Sequence, residues 1–155
     1  MADSTSVNLF KLAYSALKLQ TDRSKIISDN LNFPSDIYLL QGLREVFGNK
    51  HKITLAESKN GIQVPIETYE KLIDSNTALV TLSHVVFKSA YMYDMKGVTD
   101  LAHQNGALML WDLSHAVGAV PIDLNGCNVD LAIGCTYKYL NGGPGSLAFL
   151  YVRKD

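Results

Sequence analysis

Apolar residues along this chain recur first at three- and four-residue intervals and then in short continuous runs, and the two patterns alternate from end to end. Val7, Phe10, Ala13, Tyr14 and Leu17 follow a Ser4/Ser6 cap and predict an amphipathic opening helix. Residues 25–28 read as a strand and 29–34 as a loop, after which Ser35 is placed to cap a second helix running to about Phe47. Residues 51–56 form the next strand pattern, Asn60-Gly61 a turn, and 67–73 a short helix. Residues 77–82, 107–111, 129–133 and 147–152 read as four more strands, with a helix over about 95–104 between the first two. About six strands result, several apolar on both faces, which predicts an α/β fold: a mostly parallel sheet flanked by helices. With no repeat, low-complexity tract or linker, residues 1–155 read as one domain.

Composition narrows the function classes. The 155 residues are 47% apolar and 19% charged, enough to bury a sizeable core. The formal charge is −1 and no run of Lys or Arg could neutralise a series of phosphates, so nucleic acid is not an expected partner. No segment approaches the roughly 20 apolar residues that cross a bilayer. The opening Met1-Ala2-Asp3-Ser4-Thr5-Ser6 lacks the basic and apolar parts of a signal peptide. A cytoplasmic location without membrane contact is expected. Cys127 and Cys135 are too few for a disulfide framework, and no Cys/His cluster has zinc-ligand spacing, so both are expected to be small core residues and no metal is expected. The chain starts directly at a helix and stops directly after a strand, the pattern expected of a piece of a larger protein.

The chemistry lies in two stretches. Cys135-Thr136-Tyr137-Lys138-Tyr139-Leu140-Asn141-Gly142-Gly143-Pro144-Gly145 sets one lysine between an apolar strand and a glycine-rich bend, where glycines permit positive φ and close backbone approach to a ligand. Trp111-Asp112-Leu113-Ser114-His115 puts an aspartate at the end of another strand, the edge at which parallel sheets collect ligands. An isolated lysine is ordinarily a surface group and an isolated aspartate a turn cap. Together they supply what pyridoxal 5′-phosphate (PLP) chemistry needs: an amine that joins the aldehyde, and a carboxylate that keeps the pyridine nitrogen protonated as an electron sink. His115, three residues beyond Asp112, faces the same way on a helical turn. Tyr137 has a hydroxyl able to bond a phosphate or donate a proton, although packing on the sheet is its ordinary role. Phe33-Pro34-Ser35-Asp36 sits at a loop-to-helix junction. Its ordinary role is a hydrophobic staple with Ser35 as cap; the functional one has Phe33 stacked on the cofactor ring and Asp36 orienting a polar neighbour. Ser83 ends another strand and is a weaker candidate, while His51, His84 and His103 carry no partner pattern and are expected to be structural.

Asp3-Ser4-Thr5-Ser6-Val7-Asn8-Leu9-Phe10-Lys11, Asn32-Phe33-Pro34-Ser35-Asp36, Trp111 to Pro121 and Gly134 to Gly145 resemble the corresponding segments of the kynureninase family, above all its bacterial members. The likeness runs over essentially the whole chain. It implies a fold-type I PLP enzyme of the aminotransferase-like architecture that hydrolyses L-kynurenine, or its 3-hydroxy form, to anthranilate or 3-hydroxyanthranilate plus L-alanine, in tryptophan breakdown and NAD synthesis. It also implies a homodimer. By resemblance Lys138 is the Schiff-base lysine, Asp112 the partner of the pyridine nitrogen and Tyr137 a proton-transfer group. Phe33, Pro34, Ser35, Asp36, Ser83, His115 and Tyr137 match cofactor contacts. Phe87-Lys88-Ser89-Ala90 departs from the family pattern, since Lys-Thr-Gly or similar is expected there, and the backbone should turn less easily. The resemblance further places the family's phosphate-binding Leu-Thr pair before residue 1 and its substrate-carboxylate arginine after residue 155. On that view the chain is part of the PLP-binding large domain, the small domain is absent, and the isolated piece is inactive.

Two other readings stay open. A cysteine desulfurase or class V aminotransferase shares the fold, but such enzymes commonly stack a histidine on the ring and place one before the lysine, where this chain has Phe33 and Tyr137. A non-catalytic fragment that binds no cofactor is the third.

Overall fold

The computed structural model describes residues 1–154. Four helices and six strands alternate: α1 (Thr5–Leu19), β1 (Lys25–Asp29), α2 (Pro34–Val46), β2 (Lys52–Ala56), α3 (Ile66–Leu72), β3 (Thr77–Ser83), α4 (Met95–Gln104), β4 (Leu108–Asp112), β5 (Leu131–Gly134) and β6 (Phe149–Val152). The strands form one sheet in the order β2-β1-β3-β4-β5-β6. The first five pair in parallel and β6 runs antiparallel to β5. The mostly parallel α/β sheet expected from the sequence is therefore present.

Strand residues alternate between two cores because successive side chains point to opposite faces. Ile27, Val80, Met109, Trp111 and Ala132 pack with Tyr69, Met95, Val98 and Ala102 from α3 and α4. Ile26, Leu79, Leu110, Leu131 and Ile133 pack on the other face with Leu9, Leu12, Ala13, Leu17, Leu40 and Leu43 from α1 and α2. Every residue of β3 is buried, as the continuous apolar run demanded. The Trp111 indole is buried too and donates to Thr99 Oγ1 at 3.1 Å.

Several local expectations are corrected. The buried face of α1 is Asn8, Leu9, Leu12, Ala13, Ala16 and Leu17, while Val7 and Phe10 are 43% and 38% exposed. Asn8 turns inward because its amide donates to Ala2 O at 2.7 Å, which rotates the stripe away from the apolar pair. Helix α2 starts two residues earlier than expected, at Pro34, whose fixed φ and missing N–H suit a first helical position. Phe33 is the cap residue, without a side-chain cap bond, and Ser35 lies inside the first turn, where its hydroxyl donates to Asp36 Oδ1 at 3.4 Å. Cys135 is buried, but Cys127 is only half-buried. His103 does have a partner, Asp130 Oδ2 at 2.7 Å. The departing segment at Phe87-Lys88-Ser89-Ala90 turns by placing Ala90 at φ +57, with its N–H donating to Val86 O. The turn is made at the strain of a left-handed alanine.

No helix among the described residues is long and apolar enough to cross a membrane.

Candidate active site

Parallel strands deliver their carboxyl ends to one edge, so Asp29, Ser83, Asp112 and Gly134 end together there. Ser83 and Asp112 are register partners. Beyond Gly134 the chain bends through Thr136-Tyr137-Lys138. That bend is fixed by Thr136 Oγ1 donating to Leu147 O at 2.5 Å, Gly142 N to Thr136 O at 2.8 Å and Asn141 N to Lys138 O at 3.1 Å. Gly143 and Gly145 take positive φ, as the glycine-rich sequence suggested. Gly118, at φ +85, lies against the bend, and a Cβ there would stand 2.7 Å from Tyr139 O. Replacing Gly118 by alanine is expected to push the lysine bend outward and lower the melting temperature, at a cost of about 1–3 kcal/mol. Thermal denaturation reads this, and an unchanged melting temperature would count against the packing described.

Thr5, Ser6, Phe33, Ser35, Asp36, Asp112, Ser114, His115, Tyr137 and Lys138 line a cavity of about 90 Å³ at this edge. Eight of these lining residues belong to the two stretches and the loop-to-helix junction identified from sequence. Lys138 Nζ lies 2.9 Å from His115 Nε2 and 5.7 Å from the centroid of the Phe33 ring. Burial, then the Lys138 charge, hold the His115 imidazole below its ordinary pKa, so the neutral ring accepts from the lysine at Nε2. Its Nδ1 then carries the proton and is buried with no partner among the described residues. Phe87 packs edge-on to Phe33 at 5.2 Å, and both rings lie beside His115 at 6.2 and 6.4 Å, giving Lys138 an aromatic wall.

Two carboxylates share this space. Asp112 is 4% exposed, and Ser114 N and Oγ both donate to its Oδ1, at 2.9 and 2.6 Å. Burial raises its pKa against those bonds. Asp36 is pushed up to about 7, by burial first and by the charge of Asp112 next. The charge of Lys138 acts on both acids in the opposite sense without outweighing their burial. A carboxyl whose folded pKa is raised stabilises the fold fully only below its unfolded value near 4, and that contribution is lost as pH rises through about 7. In cofactor-free protein, Asp36→Asn is therefore expected to gain stability on the wild type between pH 5 and 8, flattening above about 7, with a ceiling of about 4 kcal/mol. Denaturant melts of both proteins across that range decide it, and parallel curves would show that Asp36 does not titrate there.

Sequence reading missed Thr5, Ser6, Ser114 and Asn32. The N-terminal strand-like segment brings the first two into the site: Ala2 N donates to Ala148 O at 2.9 Å and Ala148 N to Asp3 O at 3.0 Å, which pins the start of α1 beside the lysine bend. Ser4, Thr5 and Ser6 also border an adjoining cavity of about 330 Å³ that shares Thr5, Ser6 and Tyr137 with the first. The signal was present, since three hydroxyl residues at a helix N-terminus suit an anion. Ser83 and Pro34 do not line the cavity. The Ser83 hydroxyl donates instead to Asn32 Oδ1 at 2.6 Å.

A family model described as aminotransferase class-V matches residues 3–155. The chain belongs to the aminotransferase class-V family. Kynureninase from Pseudomonas fluorescens is 46% identical over 156 residues, which cover 98% of this chain and 36% of that protein. Kynureninase from Burkholderia pseudomallei strain K96243 is 46% identical over 158 residues, with 99% and 36% covered. The chain thus spans 36% of the length of these curated relatives. Among solved structures, the apo cysteine desulfurase from Thermococcus onnurineus NA1 superposes with a TM-score of 0.84 at 22% identity, over 99% of this chain and 37% of that one. Ureidoglycine-glyoxylate aminotransferase from Bacillus subtilis gives 0.79 at 17% identity, over 99% and 38%. At such identities the likeness establishes the class-V fold. Kynureninases and class-V aminotransferases are pyridoxal phosphate-dependent, and the kynureninase resemblance read from the motifs agrees with the relatives found.

Proposed function

We propose that this region is the PLP-binding part of a kynureninase, cleaving L-kynurenine or 3-hydroxykynurenine with water to anthranilate or 3-hydroxyanthranilate and L-alanine. The observation that carries it is Lys138 beside His115 and over Phe33, in one cavity with two buried carboxylates, Asp36 and Asp112. The residues fit the cofactor. Both Ser114 bonds to Asp112 reach Oδ1, so Oδ2 would be left for a protonated ring nitrogen, with Asp36 as the second acid nearby. Phe33 supplies a ring face. The N-terminus of α1, with the Thr5 and Ser6 hydroxyls and Tyr137, would supply a phosphate seat inside this chain.

Bound PLP supplies an electron sink for the carbanions formed at the substrate. Lys138 would hold the cofactor through its aldehyde and, as the free amine, would take the proton from the substrate's Cα. His115 Nε2, at 2.9 Å, would accept a hydrogen bond from the lysine and so orient its amine. Asp112 would hold the proton on the ring nitrogen, with Asp36 as the second acid beside it. Burial raises the Tyr137 pKa, so its hydroxyl stays protonated and serves as donor, with water, when the Cβ–Cγ bond breaks.

Tyr137, Tyr139, Leu140 and Leu147 are exposed around the lysine bend, which suits a cytoplasmic homodimer whose second copy covers them. Purified full-length protein supplied with PLP and L-kynurenine is expected to release anthranilate, read by its fluorescence, and alanine in equal amounts. Release of sulfide from L-cysteine without anthranilate would move the protein to the desulfurase reading, which no feature of the site favours.

A further inference from the structure

The strand order reverses between β1 and β3, since the chain passes from β1 outward to β2 and returns to the other side of β1 as β3. Such a reversal leaves a crevice at the carboxyl edge of the sheet. Here one side chain fills it. Asn32 is 5% exposed and makes three hydrogen bonds. Its Oδ1 accepts from Ser83 Oγ at 2.6 Å and from the Phe33 N–H at 2.9 Å, and its Nδ2 donates to Ser28 Oγ at 3.1 Å. The amide orientation is fixed, because a backbone N–H can only donate and must meet the oxygen. Ser28 lies in β1 and Ser83 ends β3 opposite Asp112. One amide therefore joins both strands at the reversal to the backbone of Phe33.

That backbone decides where the Phe33 ring stands. Phe33 has extended dihedrals, φ −64 and ψ 133, and no side-chain cap bond ties it to α2. Behind it, residues 30–33 are held by a second buried group. Asp29 Oδ1 accepts from Leu31 N at 2.9 Å, while its Oδ2 takes the Tyr69 and Tyr93 hydroxyls at 2.7 and 2.9 Å. Asp29 fixes the loop's start, and Asn32 fixes its end.

We propose that Asn32 is a positioning residue, whose Oδ1 holds Phe33 at the distance from Asp112 and Lys138 that a stacked pyridine ring requires. This rests on the PLP reading above and adds to it a residue that touches neither cofactor nor substrate. It also accounts for Ser83, whose single hydroxyl proton is committed to Asn32 and acts on the site through Phe33.

The test uses the full-length protein, stripped of cofactor and titrated with PLP, reading the dissociation constant and the visible circular dichroism of the bound cofactor. Asn32→Ala and Phe33→Ala are each expected to weaken PLP about tenfold and to reduce the visible dichroism. The double variant should be no worse than Phe33→Ala, because both changes remove the same stacking geometry. Ser28→Ala breaks only the Nδ2 bond and should lower thermal stability while leaving both cofactor readings at wild-type values. Additive losses in the double variant, or a Ser28→Ala loss equal to that of Asn32→Ala, would overturn the inference in favour of a merely structural amide. Where Asn32→Ala does not accumulate, Ser83→Ala replaces it in the cycle with Phe33→Ala, and additivity is again the overturning result. Wild-type protein that leaves no borohydride label on Lys138 would overturn the PLP reading itself, whereas label with additive losses overturns the role of Asn32 alone.

Discussion

Lys138→Ala in the full-length protein is expected to lower kcat for kynurenine by at least about a thousandfold. The amine is asked for two things that no neighbour supplies together: a covalent hold on the aldehyde carbon and a base at Cα. His115 is close enough to take the lysine's proton, but an imidazole held below its ordinary pKa by burial is a poor substitute for a primary amine at carbon. Borohydride reduction of the wild type followed by peptide mapping should place the pyridoxyl group on Lys138. The informative competitor is Lys88, whose Nζ lies 5.4 Å from the Phe87 ring and so borders the same aromatic wall. Label on Lys88, or retention of turnover in Lys138→Ala, would remove Lys138 from the centre of the site. The expected loss should be partly reversed by a small primary amine added in solution, because truncation leaves a gap over Phe33 of the size the lysine stem vacates.

The alternation of helix and strand was legible because each strand of a covered parallel sheet is apolar on both faces, and β3, all seven residues buried, is the plainest instance. Lys138 and Asp112 were legible for a related reason. A polar residue at the end of such a run lies at the carboxyl edge, where ligands collect. What failed were features set by a single hydrogen bond across the chain. Val7 and Phe10 fit the apolar period of α1, yet the Asn8–Ala2 bond turns the helix so that an asparagine is inside and they are not. Ser35 looks like a cap until the proline before it takes the first helical position. Asn32 reads as a loop asparagine from its neighbours, and only the fold brings Ser28 and Ser83 to its two ends. The antiparallel β6 was equally hidden, since its half-buried pattern is the same in either direction.

Asp112→Asn is expected to keep most of its cofactor and to lower kcat about a hundredfold or more. The geometry says why the isosteric amide fails. Ser114 N and Oγ both donate to Oδ1, so an asparagine here must turn its carbonyl oxygen to Ser114 and its NH₂ toward the ring. Two donors then face each other unless the ring nitrogen gives up its proton, and a neutral pyridine is a weak electron sink. Folding is spared because the Ser114 bonds survive the change. Some activity should persist through Asp36: without the charge of Asp112, one cause of its raised pKa disappears, and it ionises at lower pH to become the remaining anion near the ring. Asp36→Asn added to Asp112→Asn should therefore remove most of what is left, a larger drop than Asp36→Asn gives in the wild type. Nitrogen NMR of labelled cofactor reads the ring protonation directly, and kcat with bound-cofactor content reads its consequence. Near wild-type turnover in Asp112→Asn, with the ring still protonated, would reduce Asp112 to the cap of the turn that follows β4.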